Sequence, residues 1–108
     1  PTSFAETEQK IKIGVMAPLT GPVATMGELL DEASSYIKKY QKFKIEFIFE
    51  DHQYDGKLAV TALNKLQQVD KVDLIIVWGN TPSGTCAPVA ERNKIPLLAM
   101  SMNPDAKD

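Results

Sequence analysis

The chain has 108 residues, 44% of them hydrophobic, 24% charged and 7% aromatic, with a formal net charge of −2. Those fractions exclude wholesale disorder, collagen and coiled coil, and twelve basic against fourteen acidic residues leave no electrostatic footprint for nucleic acid or an anionic membrane. The length suits one domain with a real core, and no apolar run approaches the roughly 20 residues of a membrane span.

Residues 1–10 open Pro1-Thr2-Ser3-Phe4-Ala5-Glu6 and read as a polar, flexible lead-in. They carry no signal-peptide pattern and would equally follow a removed one. The folded part is expected over 11–108. Its first apolar run is Ile11-Lys12-Ile13-Gly14-Val15-Met16-Ala17, stopped by Pro18. Gly21-Pro22 then starts a helix, since proline is tolerated at the first helical position. Val23, Met26, Leu30, Ala33, Ile37 and Tyr40 recur at steps of three and four as its inward stripe.

The second run, Phe43 to Phe49, alternates and then becomes continuously apolar, and its Lys44 and Glu46 mark an edge strand. A second helix follows, with Asp55 as N-cap and Leu58, Ala62, Leu66 and Val69 as its stripe. The third run, Val72 to Trp78, ends at Gly79. The third helix is expected from about Thr85 to Asn93, placing Pro88 in its first turn, where alone proline is acceptable. The fourth run is Ile95-Pro96-Leu97-Leu98-Ala99-Met100. Runs of this length, rich in β-branched residues, suit strands covered on both faces.

The order β-α-β-α-β-α-β implies an α/β fold, a three-layer doubly wound parallel sheet with right-handed crossovers. With the polar second strand at an edge, the strand order is 2-1-3-4. Ligands in such sheets bind beyond the carboxyl ends of the strands, where the winding direction reverses. Here that point lies between the first and third strands, so the loops 18–27 and 79–85 are the suspects.

Catalytic patterns fail there at named positions. Gly79-Asn80-Thr81-Pro82-Ser83-Gly84-Thr85 has the glycine spacing of a P-loop and lacks its lysine. Ala17-Pro18-Leu19-Thr20-Gly21-Pro22 lacks the GxGxxG of a dinucleotide site, and Ser83 lacks the first glycine of a nucleophile elbow. The first and third strands end in Ala17 and Trp78, where a phosphoacceptor domain needs carboxylates. Lone Cys86 has neither a disulfide nor a CxxC partner and reads as a buried apolar residue. His52 lies in Glu50-Asp51-His52-Gln53-Tyr54-Asp55; a metal or acid–base role is conceivable, and a solvated cap is the plainer reading. No enzyme, metal or cofactor is implied.

What remains is Ser83, Gly84 and Thr85 at the expected start of the third helix, where free amides and the helix dipole favour an anion such as a carboxylate. A plain N-cap is the alternative, and the two roles are compatible. Trp78 beside the crevice is either core or a stacking platform, and Met26 either core or a ligand wall.

Several stretches resemble one family in register. Ile11 to Pro22, Glu50 to Asp55 with Ala59-Val60, Val72 to Ile76, Ala87 to Glu91 and Ile95 to Leu98 are similar to the type I periplasmic binding proteins of the branched-chain amino acid class, the solute receptors of ABC importers. The resemblance runs from Ile11 to Pro104 and rests on the ordered succession, since no single motif is specific. It implies a two-lobed periplasmic or extracellular receptor that closes on a small ligand, does no chemistry and delivers to an ABC permease. In that pattern Ser83 binds the ligand carboxylate. The loop after the fourth strand, near Ser101 and Met102, contacts the head group. Met26 replaces an aromatic wall residue.

The family's chains are much longer, and a second lobe completes their site. The resemblance therefore implies a truncated N-terminal lobe, unable to close on a ligand alone. The fourth strand would then be an exposed apolar edge, open to homodimer pairing. The competing readings are a ligand-sensing regulatory domain of the same fold, without a visible helix-turn-helix, and a flavodoxin-like enzyme with His52 and Cys86 as its reactive groups.

Overall fold

Strands and helices alternate in the order β1 (Lys10–Ala17), α1 (Ala24–Tyr40), β2 (Lys44–Asp51), α2 (Gly56–Gln68), β3 (Leu74–Trp78), α3 (Asn80–Asn93) and β4 (Leu97–Met100). The computed structural model describes residues 10–21, 24–40 and 44–100; residues 1–9, Pro22, Val23, Phe43, Ser101 and Met102 lie outside them, and Lys10, expected in the lead-in, opens β1. The strands form one parallel sheet of order β2-β1-β3-β4, as the sequence predicts. Its register sets Val15 between Phe49 on one side and Ile76 on the other. β3 passes the sheet on to β4, with Ile76 opposite Leu98.

The step from β1 to β2 runs one way across the sheet, and the steps to β3 and β4 run the other. Right-handed crossovers therefore put α1 on one face and α2 with α3 on the opposite face. The core lies under α2 and α3. Met16, Ile75 and Val77 of the sheet meet Ala59, Ala62, Leu63 and Leu66 of α2 and Cys86 and Ala90 of α3. Gly14 lets α2 come close: a Cβ there would stand 2.9 Å from Leu66 Cδ1, so Leu66 packs on bare backbone.

Both predicted helix stripes are displaced. On α2 the buried set is Ala59, Ala62, Leu63 and Leu66, while Leu58 is 40% and Val69 70% exposed. Positions 59, 62, 63 and 66 share one face, and Leu58 stands about 100° off it. The alanines, which a search for bulky residues undervalues, permit the close approach. On α1 the buried positions are Gly27 and Ser34, with Met26 and Leu30 half-buried, Ala33 exposed and Ile37 43% exposed. Gly27 stands against the chain at Pro18, whose oxygen would lie 2.7 Å from an added Cβ. The Ser34 hydroxyl donates to the Leu30 carbonyl at 2.9 Å, which satisfies it within the helix.

α3 departs furthest from expectation. It begins at Asn80, five residues early, so Pro88 falls in its interior rather than its first turn. Proline there removes the amide that would bond the Gly84 carbonyl. Both Gly84 and Pro88 are exposed, so water can reach that turn. The helix closes on Lys94 at φ 58°, whose N–H donates to the Ala90 and Glu91 carbonyls.

Candidate functional site

The carboxyl ends of β1, β2 and β3 meet where the winding reverses, and β2 supplies the groups that tie them together. Asp51, its last residue, reaches over the exit of β1. Its Oδ1 accepts from the N–H groups of Leu19 (2.9 Å), Thr20 (3.3 Å) and Gln53 (3.0 Å), and its Oδ2 accepts from the Thr20 hydroxyl. Burial by itself would raise the pKa of this carboxyl. The donors from Thr20, Gln53 and Leu19 outweigh it and hold the pKa below the ordinary value of 3.8. Asp51 is thus a fixed anion that shapes the loop after β1.

His52 follows, fully buried. Its backbone N–H donates to the Ala17 carbonyl of β1 at 3.2 Å. Its ring spans to β3, where Nε2 lies 2.9 Å from the Trp78 carbonyl. Nδ1 accepts from the Tyr54 N–H at 2.9 Å. The only tautomer that satisfies both contacts is the neutral ring with its proton on Nε2, an assignment made from the bonding network. Burial pushes its pKa below 6.5, against the opposing pull of the Trp78 carbonyl and the Asp51 charge. The expected solvated cap is instead a buried bracket, because β2 lies next to β1 and only one strand from β3.

Tyr54 completes the bracket. It and Gln53 both adopt the left-handed region, at φ 59° and 48°. The Tyr54 ring packs edge-on against Trp78, with centroids 5.9 Å apart, and its hydroxyl accepts from the Asn80 N–H, the first amide of α3, at 3.0 Å. Gly79 makes this possible. At φ 111° it occupies backbone space that disfavours other residues, and an added Cβ would stand 2.4 Å from Tyr54 Cε1. Its own N–H donates to the Met100 carbonyl at 3.0 Å, which brings the end of β4 to the same place.

The predicted site residues divide. Trp78 stands half-buried at the end of β3, inside this cluster. Ser83 is fully buried. It sits one turn inside α3, not at its start, with its N–H bonded to the Gly79 carbonyl at 3.0 Å. Its hydroxyl has no hydrogen-bond partner among the described residues. The N-cap reading of Ser83 and Thr85 is therefore corrected: the N-cap is Gly79, and no side chain caps the helix. Thr85 turns to its own helix and to α2, its hydroxyl donating to the Thr81 carbonyl at 2.9 Å and lying 2.7 Å from where a Gly56 Cβ would be. Gly84 is exposed, and Met26 is half-buried in the first turn of α1.

Cys86 belongs to the core, and burial pushes its thiol pKa up to about 11, so it is neutral at ordinary pH. No group of three His, Cys, Asp or Glu side chains placed to hold a metal ion occurs among the described residues. Asp51, Tyr54 and Thr20 were not singled out from the sequence. The signal available was an aspartate at the end of a strand expected to neighbour β1, directly across from the loop it organises.

The family model described as periplasmic binding protein matches residues 10–108. No curated protein matches the chain significantly. Among solved structures, the chain is similar to a solute-binding protein of an ABC transporter from Rhodopseudomonas palustris BisB5, solved in complex with 3,4-dihydroxybenzoic acid. The two share 30% identity over 87% of this chain and 28% of that one, with a TM-score of 0.77. It is also similar to a leucine-binding protein from Thermotoga maritima, at 26% identity and TM-score 0.81 over 89% of this chain and 29% of that one. An extracellular ligand-binding receptor from Rhodopseudomonas palustris HaA2 aligns at 25% identity and TM-score 0.73, over 90% of this chain and 27% of that one. The 108 residues thus span less than a third of each of these chains.

Proposed function

Because the chain belongs to the periplasmic binding protein family, we propose that it forms part of the N-terminal lobe of a solute receptor serving an ABC importer, and that the receptor captures a small carboxylate-bearing ligand. The lobe portion starts at Lys10, the first residue of β1, and residues 1–9 are assigned to a lead-in. The family is periplasmic or extracellular, and its members bind solutes rather than transform them. Delivery to a membrane permease follows from the ABC-transporter setting of the similar receptor.

The observation that carries the reading is the Ser83 hydroxyl. Burying a hydroxyl without a partner is costly, and this one lies one turn into α3, at the winding reversal where such sheets bind ligands. A ligand carboxylate is the partner we assign to it, with Trp78 and Met26 as walls. Ser101 and Met102, beyond β4, are assigned to the head group. Gly84 and Thr85 contribute backbone shape rather than free amides, since both lie inside the helix. Leucine and 3,4-dihydroxybenzoate, named with two of the similar receptors, share a carboxylate and differ in the rest. A branched-chain amino acid is the first choice, and an aromatic acid fits the same anchoring chemistry. β4 adds a contact between copies of the isolated chain, through its apolar edge.

The test is thermal denaturation of the complete receptor containing this lobe, with leucine and with 3,4-dihydroxybenzoate. A true ligand at a hundredfold its dissociation constant stabilises by about 2.7 kcal/mol, and Ser83→Ala should lose most of that gain while its unliganded midpoint stays level or rises, since the unpaired hydroxyl is gone. Equal stabilisation of the alanine variant would remove Ser83 from the site. No response to any carboxylate solute would refute the ligand class.

A further inference from the structure

We propose that His52 is a positioning residue of the crevice, a latch whose neutral ring holds Tyr54, Trp78 and the first amide of α3 in place and whose protonation releases them. Four bonds converge on this residue from three strand ends. The backbone N–H goes to Ala17 of β1, Nε2–H goes to the Trp78 carbonyl of β3, Nδ1 takes the Tyr54 N–H, and the His52 carbonyl takes the Asp55 N–H at 2.7 Å. The imidazole therefore links the β2 exit to the β3 exit across the end of β1. Through Tyr54 it also reaches Asn80, at the start of the helix that carries Ser83.

A second proton would have to sit on Nδ1. There it would face the Tyr54 N–H, donor against donor at 2.9 Å, and one of the two must move. Tyr54 is the group set to move. It and Gln53 are held in left-handed backbone that side-chain-bearing residues seldom adopt. Once its N–H is repelled, the loop can relax, withdrawing the Tyr54 hydroxyl from Asn80 and its ring from Trp78 and Gly79.

The titratable groups of the surrounding elements do not substitute for His52 in this role. Asp51, on its own strand, is the charge that acts on the ring, and it favours protonation. Asp55 is committed to the amides of Lys57 and Leu58. The Tyr54 hydroxyl accepts from the Asn80 N–H. Ala17 at the end of β1 and Pro18 after it, with Trp78 at the end of β3 and Gly79 after it, bring no titratable side chain. α3 brings the neutral thiol of Cys86. Burial opposes the imidazolium more than Asp51 helps it, so the latch stays closed at neutral pH and opens below pH 6.5.

The chain supplies its own reporter, since Trp78 is its single tryptophan. Its emission should be recorded from pH 8 downwards with far-UV circular dichroism in parallel, on the wild type and on His52→Gln and His52→Asn. Glutamine can still donate toward the Trp78 carbonyl and asparagine can still accept the Tyr54 N–H, and neither titrates. The wild type should show a one-proton change in Trp78 emission below pH 6.5 while its helix signal persists, and at least the better-folded variant should lack that step. Wild-type emission that stays flat until the helix signal collapses would overturn the latch. So would an acid step that survives unchanged in a folded variant. The result does not depend on which ligand the crevice takes.

Discussion

Gly79 and Gly14 look alike in the sequence, each a single glycine at or near a strand, yet the structure asks different things of them. At Gly14 an added methyl meets the end of the Leu66 side chain, 2.9 Å away, with ordinary backbone geometry. At Gly79 it meets the Tyr54 ring at 2.4 Å, and the backbone stands at φ 111°. Gly79→Ala should therefore cost more, about 1–3 kcal/mol from backbone strain alone, and should also change Trp78 emission by displacing Tyr54. Gly14→Ala should lower stability without touching that emission, as Leu66 shifts within the core. Urea unfolding followed by fluorescence and by circular dichroism checks both; equal costs would show that Tyr54 yields freely. At this scale the sequence showed which residues could matter and not how they are used. Ser83 was legible as a polar group near a strand end. That its hydroxyl is buried and unpaired was not, because burial is set by packing of α3 against the sheet.

Among the elements, α3 is the one built against local preference. Pro88 sits in its interior with no amide to offer the Gly84 carbonyl, and both residues are exposed. Pro88→Ala restores that bond and relieves the ring's clash. It should stabilise the chain by about 1–3 kcal/mol, a shift of roughly 4–8 °C in melting midpoint per kcal/mol. A lower midpoint would mean that proline's restriction of the unfolded chain outweighs the missing bond. The expectation that this helix starts at Thr85 came from reading Pro88 as a first-turn proline. Pro82 is the proline that occupies the first turn. β4 has its own exposure: Leu98 is 59% and Met100 42% accessible on the face away from the core. Strand edges and faces of that kind invite pairing, so the isolated chain is expected to self-associate at high concentration. Light scattering that gives a monomer throughout would remove that expectation, and a charged substitution at Leu98 should abolish association where it occurs.

For the molecule as a whole, the relevant fact is proportion. The chain spans 28% and 29% of two solved receptors it resembles. Ligand capture in a two-lobed receptor draws contacts from both sides of a cleft, and halving the contacts removes far more than half of the affinity, because the cost of association is still incurred in full. Titration calorimetry of these 108 residues with leucine should therefore give no measurable heat at micromolar concentrations. A micromolar dissociation constant would show that one lobe portion suffices.

The family was legible in the sequence as a resemblance, carried by the ordered succession of stretches from Ile11 to Pro104; the strand order and the parallel sheet were determined by the sequence alone. The physical reason is that they depend on patterns repeated over many residues: apolar runs of strand length, helical stretches between them, and one polar strand that belongs at an edge. Only the tertiary structure decided which helix faces turn inward, because small residues such as Ala59, Ala62 and Gly27 gain their importance from how closely another element approaches. It also decided the role of His52. A histidine between two aspartates is read locally as a polar turn, and it becomes a buried bracket only when folding sets the end of β2 beside β1 and within reach of the Trp78 carbonyl.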